Sequence, residues 1–271
     1  YHYPRFIVMI AGNVPLCIGL GWGLILYASI AFADLWPLSR SAWVAVVTLF
    51  GLNVDFGTDA LAVRAGFWVY HHYPRTETLF GLDEQWLGVP YGNFYSWFVV
   101  LFASAGLLRR WVLDAPTRTL SGLLLRATGV IGGGVLVLAA MNALYVRFWL
   151  ERAWPLAVLL AASVILTVRG WRGPEGKPRA SSNSRSPHER WQVVAAWIIP
   201  VGFHAFFLAL LAGMVVDPTL VPNPEARALL PAQASWLAIN ALLALFVSLA
   251  CGAALPFIGF SPCVRGSDGH R

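Results

Sequence analysis

The sequence predicts an all-α protein, a polytopic transmembrane helical bundle with about seven spans. Three observations carry that expectation. Charged residues make up 12% of the 271 positions and hydrophobic residues 58%, about half the roughly 25% charge of a soluble domain. Apolar runs of the length needed to span a bilayer, about 17–25 residues, recur along the chain, and the mean hydropathy is +0.65. Between those runs, the two alternating sets of loops differ in their summed Lys and Arg.

The spans are expected at roughly 6–30, 42–69, 92–108, 127–146, 154–168, 191–215 and 235–259, the fifth being short. The loops at about 31–41, 109–126, 169–190 and 260–271 hold 13 of the 19 Lys+Arg. Those at 1–5, 70–91, 147–153 and 217–234 hold 5, and Arg64 lies inside a span. By the positive-inside rule the first set and the C-terminus are cytoplasmic, in what is expected to be a bacterial or archaeal inner membrane. Topology therefore accounts for the net charge of +6. The basic loops carry no stacking or groove-reading pattern, so no nucleic acid is expected as a partner. Residues 1–169 are expected to form the main bundle, 170–190 a flexible basic cytoplasmic linker rich in Gly, Pro, Ser and Arg, and 191–271 the C-terminal helices and tail. The linker also suits contact with anionic membrane lipids.

Cys17, Cys251 and Cys263 lack metal-ligand spacing, and Cys17 and Cys251 fall in spans, where small apolar packing is expected. CxxC, HExxH and Gly-rich phosphate-loop patterns are absent. Gly132-Gly133-Gly134 falls within a span and reads as a point of close helix approach.

One pattern occurs twice. Tyr1-His2-Tyr3-Pro4-Arg5 is followed by Val14-Pro15 and Trp22; His71-His72-Tyr73-Pro74-Arg75 is followed by Val89-Pro90 and Trp97. The copies are 75 residues apart, counted from Pro15 to Pro90. Two spans lie in that period, so the predicted repeat of two-helix units is parallel. The chain opens inside the first copy, on a residue other than Met, so one or more upstream spans are expected. Proline suits a helix start, where its missing N–H costs nothing. The aromatic residues of the first copy would equally suit an interfacial belt, whereas the second copy carries more.

The second span carries the costly residues Asn53, Asp55, Asp59 and Arg64. A charge at the centre of a spanning helix costs roughly 2.5–3.5 kcal/mol, so intramembrane ionisable groups are functional candidates. Asp55 and Asp59 are four positions apart and share a face. Two close carboxylates in a low-dielectric site do not both ionise easily, which leaves a neutral acid beside a carboxylate. That pair can protonate one atom and activate water at another. Arg64 is expected to hold one carboxylate ionised or to snorkel outward; an Asp–Arg pair that only fixes packing is the alternative. Trp68, Tyr70, His71, His72 and Tyr73 follow, and Tyr91, Asn93, Tyr95 and Trp97 open the third span. Adjacent histidines without further ligands do not make a metal site, and none is expected. Asn142, Tyr145, His204 and Asn240 read as interhelical hydrogen-bonding residues, with His204 beyond an expected kink at Pro200.

The stretch Asp59-Ala60-Leu61-Ala62-Val63-Arg64-Ala65-Gly66-Phe67-Trp68, followed by Leu87-Gly88-Val89-Pro90-Tyr91-Gly92-Asn93-Phe94-Tyr95-Ser96-Trp97, resembles the integral-membrane carotenoid biosynthesis proteins that include the carotenoid 1,2-hydratases. The resemblance covers roughly residues 1–110. Ala60 stands where the family has proline, and Ser96 where it has glycine. The resemblance implies a carotenoid substrate and hydration of its terminal 1,2 double bond, without a cofactor. It implies Asp59 as the acid, Asp55 as its partner or the water base, and Arg64 and Asn93 orienting them. Trp68 and Trp97 would flank the cation, and Trp22, Tyr3, His72, Tyr73, Tyr91 and Tyr95 would line the substrate groove. Two rival readings stay open: a non-catalytic carotenoid- or lipid-binding subunit, as in a pigment complex with other carotenoid enzymes, and a small transporter relaying protons through Asp55 and Asp59.

Overall fold

The computed structural model describes residues 8–10, 14–70, 80–81, 85–115, 119–149, 152–171 and 187–259. Seven α-helices follow in order: α1 (Leu16–Ala33), α2 (Arg40–Arg64), α3 (Tyr91–Leu108), α4 (Leu120–Phe148), α5 (Trp154–Gly170), α6 (Pro187–Val216) and α7 (Pro224–Gly259). Six are long and apolar enough to cross a membrane, and the chain is an integral membrane protein. The exception is α5, whose 17 residues rise about 26 Å at 1.5 Å per residue, short of a ~30 Å hydrocarbon core.

The first helix begins at Leu16 rather than near residue 6. Pro15 explains the difference: a proline inside a helix removes a hydrogen bond and clashes with the preceding turn, and it holds the residue before it in an extended conformation. Val14–Pro15 is accordingly a short strand, β2, paired antiparallel with β1 (Met9–Ile10). The second Val-Pro does the same. β5 (Val89–Pro90) pairs with β4 (Gln85–Trp86), which pairs with β3 (Phe80–Gly81). Pro15 and Pro90 cap their helices with φ of −61° and −59°, and each helix runs 18 residues. Equal local sequence thus gives equal helix starts at one end of the bundle, the proline end.

The central element is α2, with 83% of its spanning window buried; α4 has 11%. Around α2 pack α1, α3, α5, α6 and α7, while α4 lies outside, against α3. Small residues let the neighbours approach. A Cβ on Gly57 would sit 2.6 Å from the Ala244 methyl and 2.7 Å from the His204 ring, so α6 and α7 rest directly on the α2 backbone there. Thr48 and Thr58 return their hydroxyls to the carbonyls of Val44 and Val54, which satisfies them without a partner helix. Gly133 and Gly134 face Leu107 and Ser104 of α3. Cys17 is exposed, not packed as expected, because it lies on the outward face at the start of α1.

Two turns at the proline end aim the functional segments. α2 ends in a Schellman motif: Phe67 N–H donates to Ala62 O, Gly66 N–H to Val63 O, and Gly66 sits at φ +74° as such a cap requires. Pro222 lies over it, 2.8 Å from where a Cβ would be. The β4–β5 loop has Leu87 at φ +50° and Gly88 at φ +82°, the paired left-handed residues of a type I′ hairpin. A leucine there costs about 1–2 kcal/mol. Leu87 is 1% exposed in the core, and burying a leucine returns about 1.5–3 kcal/mol, so packing outweighs the strain. At the other end, Asp114 bridges Arg40 at 2.8 Å and Arg109 at 3.1 Å, joining the start of α2 to the π-helical turn Arg109–Leu113.

Candidate functional site

The second half of α2 places Asp55 and Asp59 one turn apart, at 1% and 2% exposure. Both oxygens of Asp55 are buried with no hydrogen-bond partner. Two carboxyls one turn apart in a buried place do not both ionise easily. Asp59 has a partner: Asn93 Nδ2 donates to its Oδ2 at 2.6 Å. Asn93 comes from the first turn of α3, three residues beyond Pro90, so the Val-Pro turn sets its position.

Asp59 opens into a cavity lined by Ile18, Trp22, Asp59, Trp68, Tyr70, Asn93 and Trp97. Its volume is about 10 Å³, close to the ~10–15 Å³ that holds one water. Trp22 and Trp97, each seven residues past its Val-Pro proline, stack with centroids 3.3 Å apart and planes 13° apart. Ile18 and Asn93 are likewise equivalent, each three residues past its proline. The Schellman turn brings Trp68 and Tyr70 over the site from the end of α2. The arrangement is a carboxyl able to carry a proton, an amide holding it, room for one water, and indole faces around both.

The predicted residues divide. Asp59, Asn93, Trp22, Trp68 and Trp97 meet at the cavity, whereas Asp55 backs Asp59 and does not line it. Arg64 departs from the expected ion pair and does not snorkel. It is 1% exposed and donates to Gln233 Oε1, Ala60 O and Leu87 O; five residues beyond Asp59, it points to another face of α2. Tyr95 stacks on Tyr145 of α4, centroids 4.4 Å apart, and Tyr91 is buried in the core. Neither reaches the cavity, because residues two positions from Asn93 and Trp97 project about 200° around the helix. Tyr3, His72 and Tyr73 lie outside the described residues. Among the described residues, no three metal-binding side chains cluster.

Ile18 is a lining residue that the sequence does not single out, whereas Tyr70 belongs to the aromatic run named after the second span. Aligning the two Val-Pro segments pairs Ile18 with Asn93. Several other intramembrane polar residues tie helices together. Asn53 Nδ2 donates to Ala244 O and Ser248 Oγ, and His204 Nε2 contacts Ser248 Oγ at 3.2 Å. Ser96 donates to Asn142 Oδ1 at 3.0 Å. Asn240 accepts from Trp86 Nε1 and donates to Phe56 O.

No curated protein and no solved structure matches the chain. A family model described as carotenoid biosynthesis protein matches residues 1–167, a stretch that holds α1 to α4, most of α5, and every residue of the cavity. The chain therefore belongs to the carotenoid biosynthesis protein family.

Proposed function

We propose that this membrane protein hydrates the terminal 1,2 double bond of an acyclic or monocyclic carotenoid, using no cofactor. Family membership gives it a role in carotenoid biosynthesis; the cavity supports the particular reaction. The observation that carries the reading is Asp59, a buried carboxyl one turn from Asp55, opening with Asn93 onto one water's space among three tryptophans.

In this reading Asp59, in its protonated form, gives its proton to C2 of the terminal double bond. The π electrons form the new C–H bond, and the positive charge is left on the tertiary C1. Faces of Trp22, Trp68 and Trp97 stabilise that cation. Water adds to C1 and returns a proton to the Asp59 carboxylate, so the acid is regenerated and the balance is substrate plus water. Asp55 shares the proton between steps, and the Asn93 amide holds the reacting oxygen in line. Duplication belongs to the same reading: equivalent helix starts supply Trp22 and Trp97 as one stacked aromatic pair beside Asp59.

Expression in cells that make lycopene or γ-carotene, followed by pigment mass analysis, tests it. A carotenoid heavier by one water is expected. An unchanged pigment profile with the protein confirmed in the membrane would refute hydration of those substrates. Trp97→Leu is expected to slow turnover about tenfold, since a desolvated cation–π contact of about 1–2 kcal/mol converts at ~1.4 kcal/mol per tenfold. Trp97→Phe should recover most of it. Equal rates for the Leu and Phe variants would remove the ring from the mechanism.

A further inference from the structure

We propose that Gln233 on α7 is a positioning residue for Asp59, acting through Arg64 and the β4–β5 turn. The C-terminal helices, beyond the matched residues 1–167, thereby complete the site. The turnover part of this inference rests on the hydratase reading; the structural part does not.

The starting point is the company Arg64 keeps. A guanidinium at 1% exposure normally faces a carboxylate, because a buried charge is costly unless paired. Among the described residues Arg64 has no acidic partner. Its four donated bonds go to neutral acceptors: Nη2 and Nε to Gln233 Oε1 at 2.7 and 3.3 Å, and Nη1 to Ala60 O and Leu87 O, both at 2.8 Å. The planar fork of arginine makes such a group a rigid bracket, and this one joins α2, the hairpin and α7.

The bracket bears on a strained point. Leu87 holds φ +50°, and its carbonyl receives the Arg64 bond. Gly88, Val89 and Pro90 follow and lead into α3, whose first turn delivers Asn93 to Asp59 at 2.6 Å. Gln233, 6% exposed, fixes the guanidinium plane. Without its oxygen, Nε and Nη2 lose their acceptor in a buried place, Arg64 swings, and Leu87 is released. Asn240, seven residues further along α7, repeats the tie by accepting from Trp86 Nε1 of β4 at 3.1 Å. Two ties two turns apart on one face of α7 thus hold the hairpin against α2.

The test compares Gln233→Met, which keeps length but loses the acceptor, with Gln233→Glu, which keeps it. Amide hydrogen exchange is followed in the purified full chain, together with pigment retained and hydrated product formed in lycopene-making cells. Gln233→Met is expected to raise exchange at residues 85–90 at least tenfold with α4 unchanged, and to cut product at least tenfold with bound pigment within twofold. Gln233→Glu should stay within threefold of the parent in each readout. Unchanged hairpin exchange in Gln233→Met, a rise that spreads equally to α4, or a Glu variant as impaired as the Met variant would each overturn the proposal. If the parent forms no hydrated product, the hydratase reading fails separately and the exchange comparison decides the bracket. If Gln233→Met does not fold, Asn240→Leu takes its place, with the same exchange pattern expected and the same outcomes against it.

Discussion

Asp59→Asn is expected to stop hydration while leaving pigment binding in place. The asparagine has the same shape and can still meet the Asn93 amide, but it has no acidic proton to give. Losing a general acid costs about 10²–10⁴-fold in rate, so mass analysis of cell pigment should show essentially no hydrated product. Asp55→Asn should do less harm, because Asp55 does not line the cavity. The comparison also separates the rival readings. A binding subunit would keep its pigment and show no chemistry in either form; a transporter would lose proton coupling and never alter a carotenoid. Hydration at the parent rate by the Asp59→Asn protein would remove this carboxyl from the reaction.

The second large effect is expected on folding. Gly57→Leu puts a side chain where the Ala244 methyl and the His204 ring already lie 2.6 and 2.7 Å from the Cβ position. Overpacking a core costs about 1–3 kcal/mol when neighbours can shift. Here they cannot shift easily: His204 contacts Ser248, which also binds Asn53 on α2. The loss should reach or exceed the top of that range, read as a lower melting temperature and aggregation of the detergent-purified protein. A Gly57→Leu chain as stable as its parent would mean that α6 and α7 do not rest on α2 at this point.

Much of the architecture was legible because membrane helices announce themselves through composition. Apolar runs located all seven helices, since a bilayer offers an isolated segment little besides the helix to satisfy its backbone. The first boundary was misjudged because hydropathy does not register that Val14-Pro15 must be extended. The costs of Asp55 and Asp59 in a span pointed to the site before any geometry did. The charge of Arg64 suggests a carboxylate partner or an outward reach, and the structure shows neither. Its real acceptors are a turn carbonyl 23 residues away in sequence and a glutamine 169 away, and no local pattern encodes those distances. Tyr91 and Tyr95 were grouped with Asn93 and Trp97 by proximity in sequence, although helical periodicity separates their faces.

The sequence by itself determined that this is a helical membrane protein, that its two Val-Pro helix starts are alike, and that acidic groups lie inside one span. Each follows from local chemistry: apolar length, proline geometry, and the penalty for charge in hydrocarbon. Only the tertiary structure decided that Trp22 stacks on Trp97, that Asn93 and not Arg64 holds Asp59, and that Arg64 donates to both Gln233 and the Leu87 carbonyl. Those partnerships depend on how helices far apart in the chain rotate and seat against α2. Small residues and close packing set that rotation, and it becomes visible only once all seven helices are in place.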